Sequence, residues 1–235
     1  MKHTLLIKDW LSSFLSLLFP RCCVVCGRPL AKGEECICTV CNINLPRTNY
    51  HLRKDNPVER LFWGQIPLER ATSFFFYEKG SDFRLILHRL KYGGQKEIGA
   101  IMGRYMAAEL LSSNFFQGID VIIPIPLHKK KQQIRGYNQS EWIARGIAAV
   151  TGMPIDTESI LRKKNTETQT RKSVFERRDN VEGIFELQHP ETLAGKHILI
   201  VDDVLTTGST TLACASCLVD VEDIRISILT LAMVE

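Results

Sequence analysis

The sequence predicts an α/β protein: a mainly parallel sheet flanked by helices, preceded by a small cysteine-rich metal segment. Three observations carry this. Apolar, strand-like runs alternate with segments of helical period. One of them, Lys196-His-Ile-Leu-Ile-Val201, is β-branched and nearly continuous, as in a strand buried on both faces. Six of the eight cysteines fall between Cys22 and Cys41.

Composition is that of a globular chain. Of 235 residues, 45% are hydrophobic and 24% charged, which excludes a mainly disordered, collagen-like or fibrous protein. The length allows one large domain, or a domain of ~150–200 residues with a small appendage. A net charge of +4 is too small by itself to argue for nucleic acid. It is unevenly spread, however. From His128 to Arg178 there are 12 Lys/Arg against 5 Asp/Glu. That region is either a solvated basic surface or a site for phosphate groups.

Taken in order, residues 1–20 read as an amphipathic helix, with Leu5, Leu6, Trp10, Phe14, Leu17 and Leu18 on one face. The apolar run Leu11 to Phe19 is far shorter than the ~20 residues that span a bilayer. No small-residue cleavage site follows it. The expectation is a cytoplasmic protein with no membrane span; a membrane-surface helix is the alternative. Residues 21–52 have no long apolar period and are expected to bury no conventional core. Cys23-x2-Cys26 and Cys38-x2-Cys41 stand 11 residues apart, a spacing that offers four thiolates in tetrahedral geometry and a structural Zn²⁺. Cys22, Cys36 and His51 compete as ligands. Such local clustering favours a metal in a reducing compartment over a disulfide scaffold.

Residues 53–70, rich in Arg, Lys, Asp, Asn and Pro at Arg53 to Arg60, read as a linker. The α/β domain then occupies 71–235. Ala71 to Tyr77 is strand-like. Phe83, Ile86, Leu87 and Leu90 recur at helical spacing and stop at Gly93-Gly94. Ile98 to Leu110 is a second helix. Val121 to Pro126 is a short strand with a proline-punctuated end, and Asn138 caps a helix to Val150. Ile160 to Phe185 reads strand, long basic loop, strand. Lys196 to Val201 is the buried strand, Thr210 to Val219 a helix, and Ile224 to Ala232 the last strand. Cys214 and Cys217, at i and i+3 on that last helix, read as core residues.

The sharpest chemical signal is Ile198-Leu-Ile-Val-Asp-Asp-Val-Leu-Thr-Thr-Gly-Ser-Thr-Thr211. A buried strand is expected to end in two acids, and a Thr/Gly/Ser loop leads into a helix. Such a loop aims N–H groups and hydroxyls at one spot, and the helix N-terminus adds partial positive charge. Asp202 and Asp203 would repel a phosphate unless they serve another purpose, such as sugar hydroxyls or a shared Mg²⁺. Neither G-x4-G-K-[ST] nor G-x-G-x-x-G after a strand is present. A second strand–loop–helix unit, Pro124 to Gln139, carries Lys129, Lys130, Lys131, Arg135, Gly136 and Asn138. In a doubly wound sheet its loop gathers at the same edge. The three lysines fit a solvated run equally well. Arg162, Lys163, Lys164, Arg171, Lys172, Arg177 and Arg178 populate the long loop, a candidate lid over a pyrophosphate.

The Asp202 to Thr210 string resembles the 5-phosphoribosyl-1-pyrophosphate (PRPP) motif of type I phosphoribosyltransferases. The resemblance implies that Asp202 and Asp203 take the ribose hydroxyls. It implies that Thr206, Thr207, Gly208, Ser209 and Thr210 take the 5′-phosphate. Thr206 stands where the 6-oxopurine enzymes carry an acidic base, which argues against that version of the reaction. More widely, the chain resembles the ComF family of bacterial competence proteins. The resemblance rests on the paired C-x2-C, His88-Arg-Leu-Lys-Tyr92, Pro124-Ile-Pro-Leu127 and Arg135-Gly-Tyr-Asn-Gln139. Gln169-Thr170, Arg177-Arg-Asp-Asn180 with Phe185, and the Asp202 to Thr210 loop complete it. It implies a zinc ribbon followed by a parallel sheet of the type I phosphoribosyltransferase kind, and an association with DNA uptake. Asp202, Asp203 and Arg135 are the implied catalytic residues; Gly136, Asn138, Gln139, Arg171, Lys172 and Arg177 are pyrophosphate or lid candidates. PRPP or a related phosphoribosyl ligand with Mg²⁺, single-stranded DNA, and a DNA-uptake ATPase or helicase are the implied partners. The competing expectation is a non-catalytic adaptor for single-stranded DNA or a protein on the same fold.

Overall fold

The structure, a computed structural model, describes residues 20–163 and 183–234. The expected N-terminal helix and most of the long basic loop, with Arg171, Lys172 and Arg177, lie outside the described residues. Six strands follow in order: β1 (Leu68–Tyr77), β2 (Val121–Pro124), β3 (Ile160–Arg162), β4 (Phe185–Leu187), β5 (His197–Leu205) and β6 (Arg225–Val234). Four make one sheet in the order β1-β6-β5-β2, and every pairing in it is parallel. β3 and β4 form a separate antiparallel ribbon. The helices are α1 (Thr39–Ile43), α2 (Pro57–Arg60), α3 (Arg84–Tyr92), α4 (Glu97–Leu110), α5 (Lys129–Arg135), α6 (Gln139–Thr151) and α7 (Ser209–Ser216). Among the described residues no helix is long and apolar enough to cross a membrane.

Alternate residues of a strand point to opposite faces. Ile122, Leu199, Val201, Leu229 and Leu231 enter one apolar cluster with α3, α4 and α6. Val121, Ile123, Ile198, Ile200, Ile226 and Ile228 enter a second with α7 and the ribbon. Both faces are apolar, so these strands read as continuous aliphatic runs. Across the first cluster, α4 and α6 meet backbone to backbone. A Cβ on Gly103 would lie 2.2 Å from the Ile143 carbonyl oxygen, and one on Gly146 would lie 2.1 Å from that of Ala100.

Four features depart from the expectations. The cysteine-rich segment does bury a core, and it shares that of the sheet. Val24, Val25, Ile37 and Leu45 are buried in the cluster that holds α4 and α6. Arg47 pairs with Glu109 at 2.9 Å, and Arg104 pairs with Glu35. Residues 46–48 lie antiparallel against β1: Thr48 N–H donates to the Phe74 carbonyl at 3.1 Å and Phe76 N–H to that of Pro46 at 2.8 Å.

Residues 53–70 are the second departure. They hold α2 and the start of β1, with Val58 and Phe62 fully buried. Asn56-Pro-Val-Glu59 is a capping box with proline at the first turn. Asn56 also donates its side-chain amide to the Ala71 carbonyl at 2.9 Å. Third, β5 does not end at the acids but runs two residues further, because β6 goes on pairing with it from Asp202↔Thr230 to Leu205↔Met233. Fourth, Lys129–Arg135 is a helix where a loop is expected. Its N-terminus is capped by His128 and its end closed by left-handed Gly136. No residue of α5 is buried, so no apolar period marked it.

Gly146→Ala should unsettle the α4–α6 contact through overpacking, at a cost of about 1–3 kcal/mol or more. A lowered urea midpoint with unchanged slope is the expected reading.

Candidate functional site

The first candidate centre is the cysteine cluster. Gly27, at φ +74°, closes the first knuckle, and its N–H donates to the Cys23 carbonyl at 2.9 Å. The second knuckle opens α1, where Asn42 N–H donates to the Cys38 carbonyl at 2.9 Å. Glu34 ties the spacer down by accepting from the Ala31 and Thr39 amides at 2.8 and 2.6 Å. The Sγ atoms of Cys23, Cys26, Cys38 and Cys41 all lie within 4.8 Å of one another. Cys26 and Cys38 are 3.7 Å apart, close to the about 3.8 Å that a tetrahedral ion with 2.3 Å metal–sulfur bonds requires. The donor set therefore fits a four-thiolate structural metal site. The competitors point elsewhere. Cys22 is exposed and donates to the Pro20 carbonyl. Cys36 lies against Met102 Sδ at 3.9 Å, and burial pushes its thiol up to about 12.

The second centre lies at the C-terminal edge of the sheet. β2 stays paired with β5 only to Pro124↔Val201. One residue further, β5 has lost that neighbour, and there the two acids emerge. Asp202 Oδ1 accepts from the Ser140 hydroxyl at 3.0 Å and from the Asp203 amide at 2.8 Å. Asp203 Oδ1 pairs with Lys91 Nζ at 2.9 Å. Burial, then the charge of Asp203, push the Asp202 carboxyl up to about 7. Its field reaches Arg162, at the end of β3, whose guanidinium lies over the Phe185 ring at 5.2 Å.

The hydroxyl loop follows directly. Thr206, Thr207 and Thr210 are exposed, Ser209 is half-buried, and Thr207 and Ser209 share a hydroxyl–hydroxyl bond of 2.8 Å. Gly208 caps α7 at φ +74°. A Cβ on it would meet the Phe62 ring at 3.4 Å, so the expected linker packs on this loop.

The Pro124 to Gln139 unit contributes unequally. Asn138 caps α6 through the Ser140 amide and donates to the Ile125 carbonyl at 3.0 Å. Gln139 is buried and accepts from Arg135 at 2.7 Å. These two, with left-handed Gly136, shape the loop. Arg135 also lies over the Tyr92 ring at 5.5 Å. Lys129 and Lys130 are exposed, whereas Lys131 is half-buried. Burial, then Arg162, Arg135 and Lys91, depress the Lys131 ammonium. Lys91, Lys131, Arg135 and Arg162 thus form one cationic neighbourhood around the acids. Cys214 is core, as expected, and Cys217 is half-buried beside it. Lys91, Ser140 and Phe62 were not identified as site residues from the sequence, although Lys91 stands in the His88 to Tyr92 string.

Fold and site together define a parallel-sheet α/β protein with a four-cysteine module and an acid-pair, hydroxyl-loop cleft. No protein-family model matches the chain. Over 209 residues it is 32% identical to the DNA utilization protein YhgH of Escherichia coli O157:H7, covering 83% of this chain and 88% of that one. It is 30% identical to competence protein F of Haemophilus influenzae over 130 residues, 54% of this chain and 57% of that protein. It is 26% identical to competence protein ComFC of Bacillus subtilis, over 90% of this chain and 83% of that one. The chain belongs to the ComF/YhgH family of competence and DNA-utilization proteins. Among solved structures it is similar to adenine phosphoribosyltransferase from Leishmania tarentolae, at 11% identity and TM-score 0.39, over 80% of this chain and 94% of that one. It is also similar to glutamine PRPP amidotransferase from B. subtilis, at 20% identity and TM-score 0.37, over 55% of this chain and 25% of that one.

Asp202 also generates a pH dependence. Its carboxyl titrates higher in the fold than in the unfolded chain, so the fold binds the extra proton. Stability of the metal-ion- and ligand-free cleft should fall as pH rises from about 4 to about 7, by up to about 1.4 kcal/mol per pH unit. Asp202→Asn should flatten that slope in urea titrations run across this window.

Proposed function

We propose that the chain is a phosphoribosyltransferase-type protein linked to DNA uptake, which binds PRPP with Mg²⁺ in the cleft at the C-terminal edge of the sheet. The observation that supports this best is the order of groups along one segment. Two acids emerge where β5 loses a neighbour, and the Thr206 to Thr210 hydroxyls follow at the start of α7. Asp202 and Asp203 supply oxygen acceptors for the ribose hydroxyls. Thr206, Thr207, Ser209 and Thr210 donate to the 5′-phosphate, with Gly208 letting the backbone approach. Arg135, Arg162 and Lys131 offer positive charge to the pyrophosphate.

Magnesium suits the hard oxygen donors of the acid pair and, when bound, would neutralise charge on the departing pyrophosphate. This chain's own residues hold the sugar, cradle the phosphate and place cations beside the leaving group. The link to DNA rests on the relatives, which are named for DNA utilization and competence. The four-thiolate module is read as a zinc site, closed to substrate, with a structural role.

Calorimetry with PRPP and Mg²⁺, run in parallel with a single-stranded oligonucleotide, tests the reading. Asp202→Asn with Asp203→Asn should weaken PRPP at least about tenfold, or ~1.4 kcal/mol, while the far-ultraviolet spectrum is kept. Equal affinity in double mutant and parent rejects the sugar-binding role. DNA binding without any PRPP binding would favour the adaptor instead.

Elemental analysis should find one zinc per chain. Stripping it with a chelator under reducing conditions should lower the melting temperature by about 5 °C or more, because the module shares the sheet's core.

A further inference from the structure

Lys91 holds a position that neither the acid pair nor the phosphate loop accounts for. It lies in the last turn of α3, next to the fully buried Leu90. Its ammonium meets Asp203 Oδ1 at 2.9 Å, with only 19% of the lysine side chain and 12% of the aspartate side chain exposed. The neighbouring Asp202 has its Oδ1 committed to Ser140 and to the Asp203 amide. Lys91 is thus a cation in direct contact with this pair of carboxylates, through Asp203.

That contact conflicts with ligand binding. A sugar hydroxyl or a divalent cation that takes Asp203 needs the oxygen Lys91 now holds. The ammonium cannot simply be abandoned in a covered site, because an uncompensated charge there is costly. Among the described residues the other acid in its field is Asp202, and one oxygen of that carboxyl is already held by Ser140 and the Asp203 amide, so it replaces Asp203 poorly. The remaining charge of this neighbourhood is positive: Lys131 is repelled by Arg162, Arg135 and Lys91. An incoming pyrophosphate is a polyanion that resolves this. It supplies Lys91 with a new partner as Asp203 receives another. Lysine suits the exchange, since its flexible stem carries a compact charge with rotatable donors.

We propose that Lys91 is the built-in counter-ion of the acid pair, which leaves Asp203 when Mg²⁺ and PRPP bind and turns to the pyrophosphate. The inference rests on the phosphoribosyl reading above. It gives Lys91 two roles: it guards Asp203 against free divalent ions, and it adds a cation once the ligand is in place. Lys91 acts on the ligand only after the exchange; before it, Lys91 positions Asp203.

The two roles pull in opposite directions when the charge is removed, and this makes them separable. Lys91→Met should bind Mn²⁺ alone about tenfold more tightly than the parent, because the acids lose their internal partner. The same variant should bind PRPP with Mg²⁺ about tenfold more weakly, the scale of one lost bond to a charged group. Lys91→Arg should restore most of both. Paramagnetic relaxation reads Mn²⁺ binding, and calorimetry reads PRPP. If Lys91→Met leaves either affinity at the parental value, the exchange is overturned. A parent that binds no PRPP sinks the phosphoribosyl reading itself; unchanged Mn²⁺ binding in Lys91→Met then also removes the counter-ion role. Should Lys91→Met not fold, the parent can be reductively methylated with labelled formaldehyde. The Lys91 dimethylamine resonance, assigned by its loss in Lys91→Arg, should shift on saturation with PRPP and Mg²⁺. A resonance that stays in place overturns the proposal.

Discussion

Strand β5 has two parallel neighbours as far as Val201 and one beyond it. Most of the cleft follows from that single asymmetry. While both neighbours are present, the strand can carry only apolar side chains, and it does so from Ile198 to Val201. Once β2 stops at Pro124, space opens on one side while β6 keeps the backbone straight. Two carboxylates can then sit on a rigid strand rather than on a loose turn. Their charge is expensive so close to the core. Around them stand Ser140 from α6, Lys91 from α3 and Arg162 from β3. Each comes from a different element, so the sheet and its covering helices are bound together at the site as well as in the core.

The four-cysteine module is less separate than its composition implies. A segment with few aliphatic residues cannot support itself. Here the thiol cluster fixes the local turns, and Val24, Val25, Ile37 and Leu45 complete a core that α4 and α6 leave open. The ion pairs of Arg47 and Arg104 with Glu109 and Glu35 lie around that seam. The closeness of α4 and α6 permitted by Gly103 and Gly146 sets where the seam lies.

The strands and long helices were legible because period and burial coincide in them. Every expected strand appears, although β1 starts three residues before Ala71 and β5 ends four after Val201. The cysteine ligands were legible because a knuckle needs its cysteines at short, fixed spacing. What sequence reading missed had no apolar signal. α5 is Lys-Lys-Lys-Gln-Gln-Ile-Arg, good helix formers with no face to bury. Asn56-Pro-Val-Glu59 did carry a start signal, but its polar composition read as linker. Lys91 and Ser140 escaped for another reason. They are ordinary helix residues until long-range pairing brings them to Asp203 and Asp202, 112 and 62 positions away.

An open sheet has two rims of unpaired backbone, and each can recruit a strand from another molecule. In this chain Ile155 bridges to β2 along one rim, and Pro46 to Thr48 lie along β1 at the other. The second guard is held by the cysteine knuckles through Leu45 and Arg47. The cysteine knuckles and this flank of the sheet are therefore one mechanical unit: whatever loosens the four-thiol cluster also bares the backbone of β1, where another strand could pair.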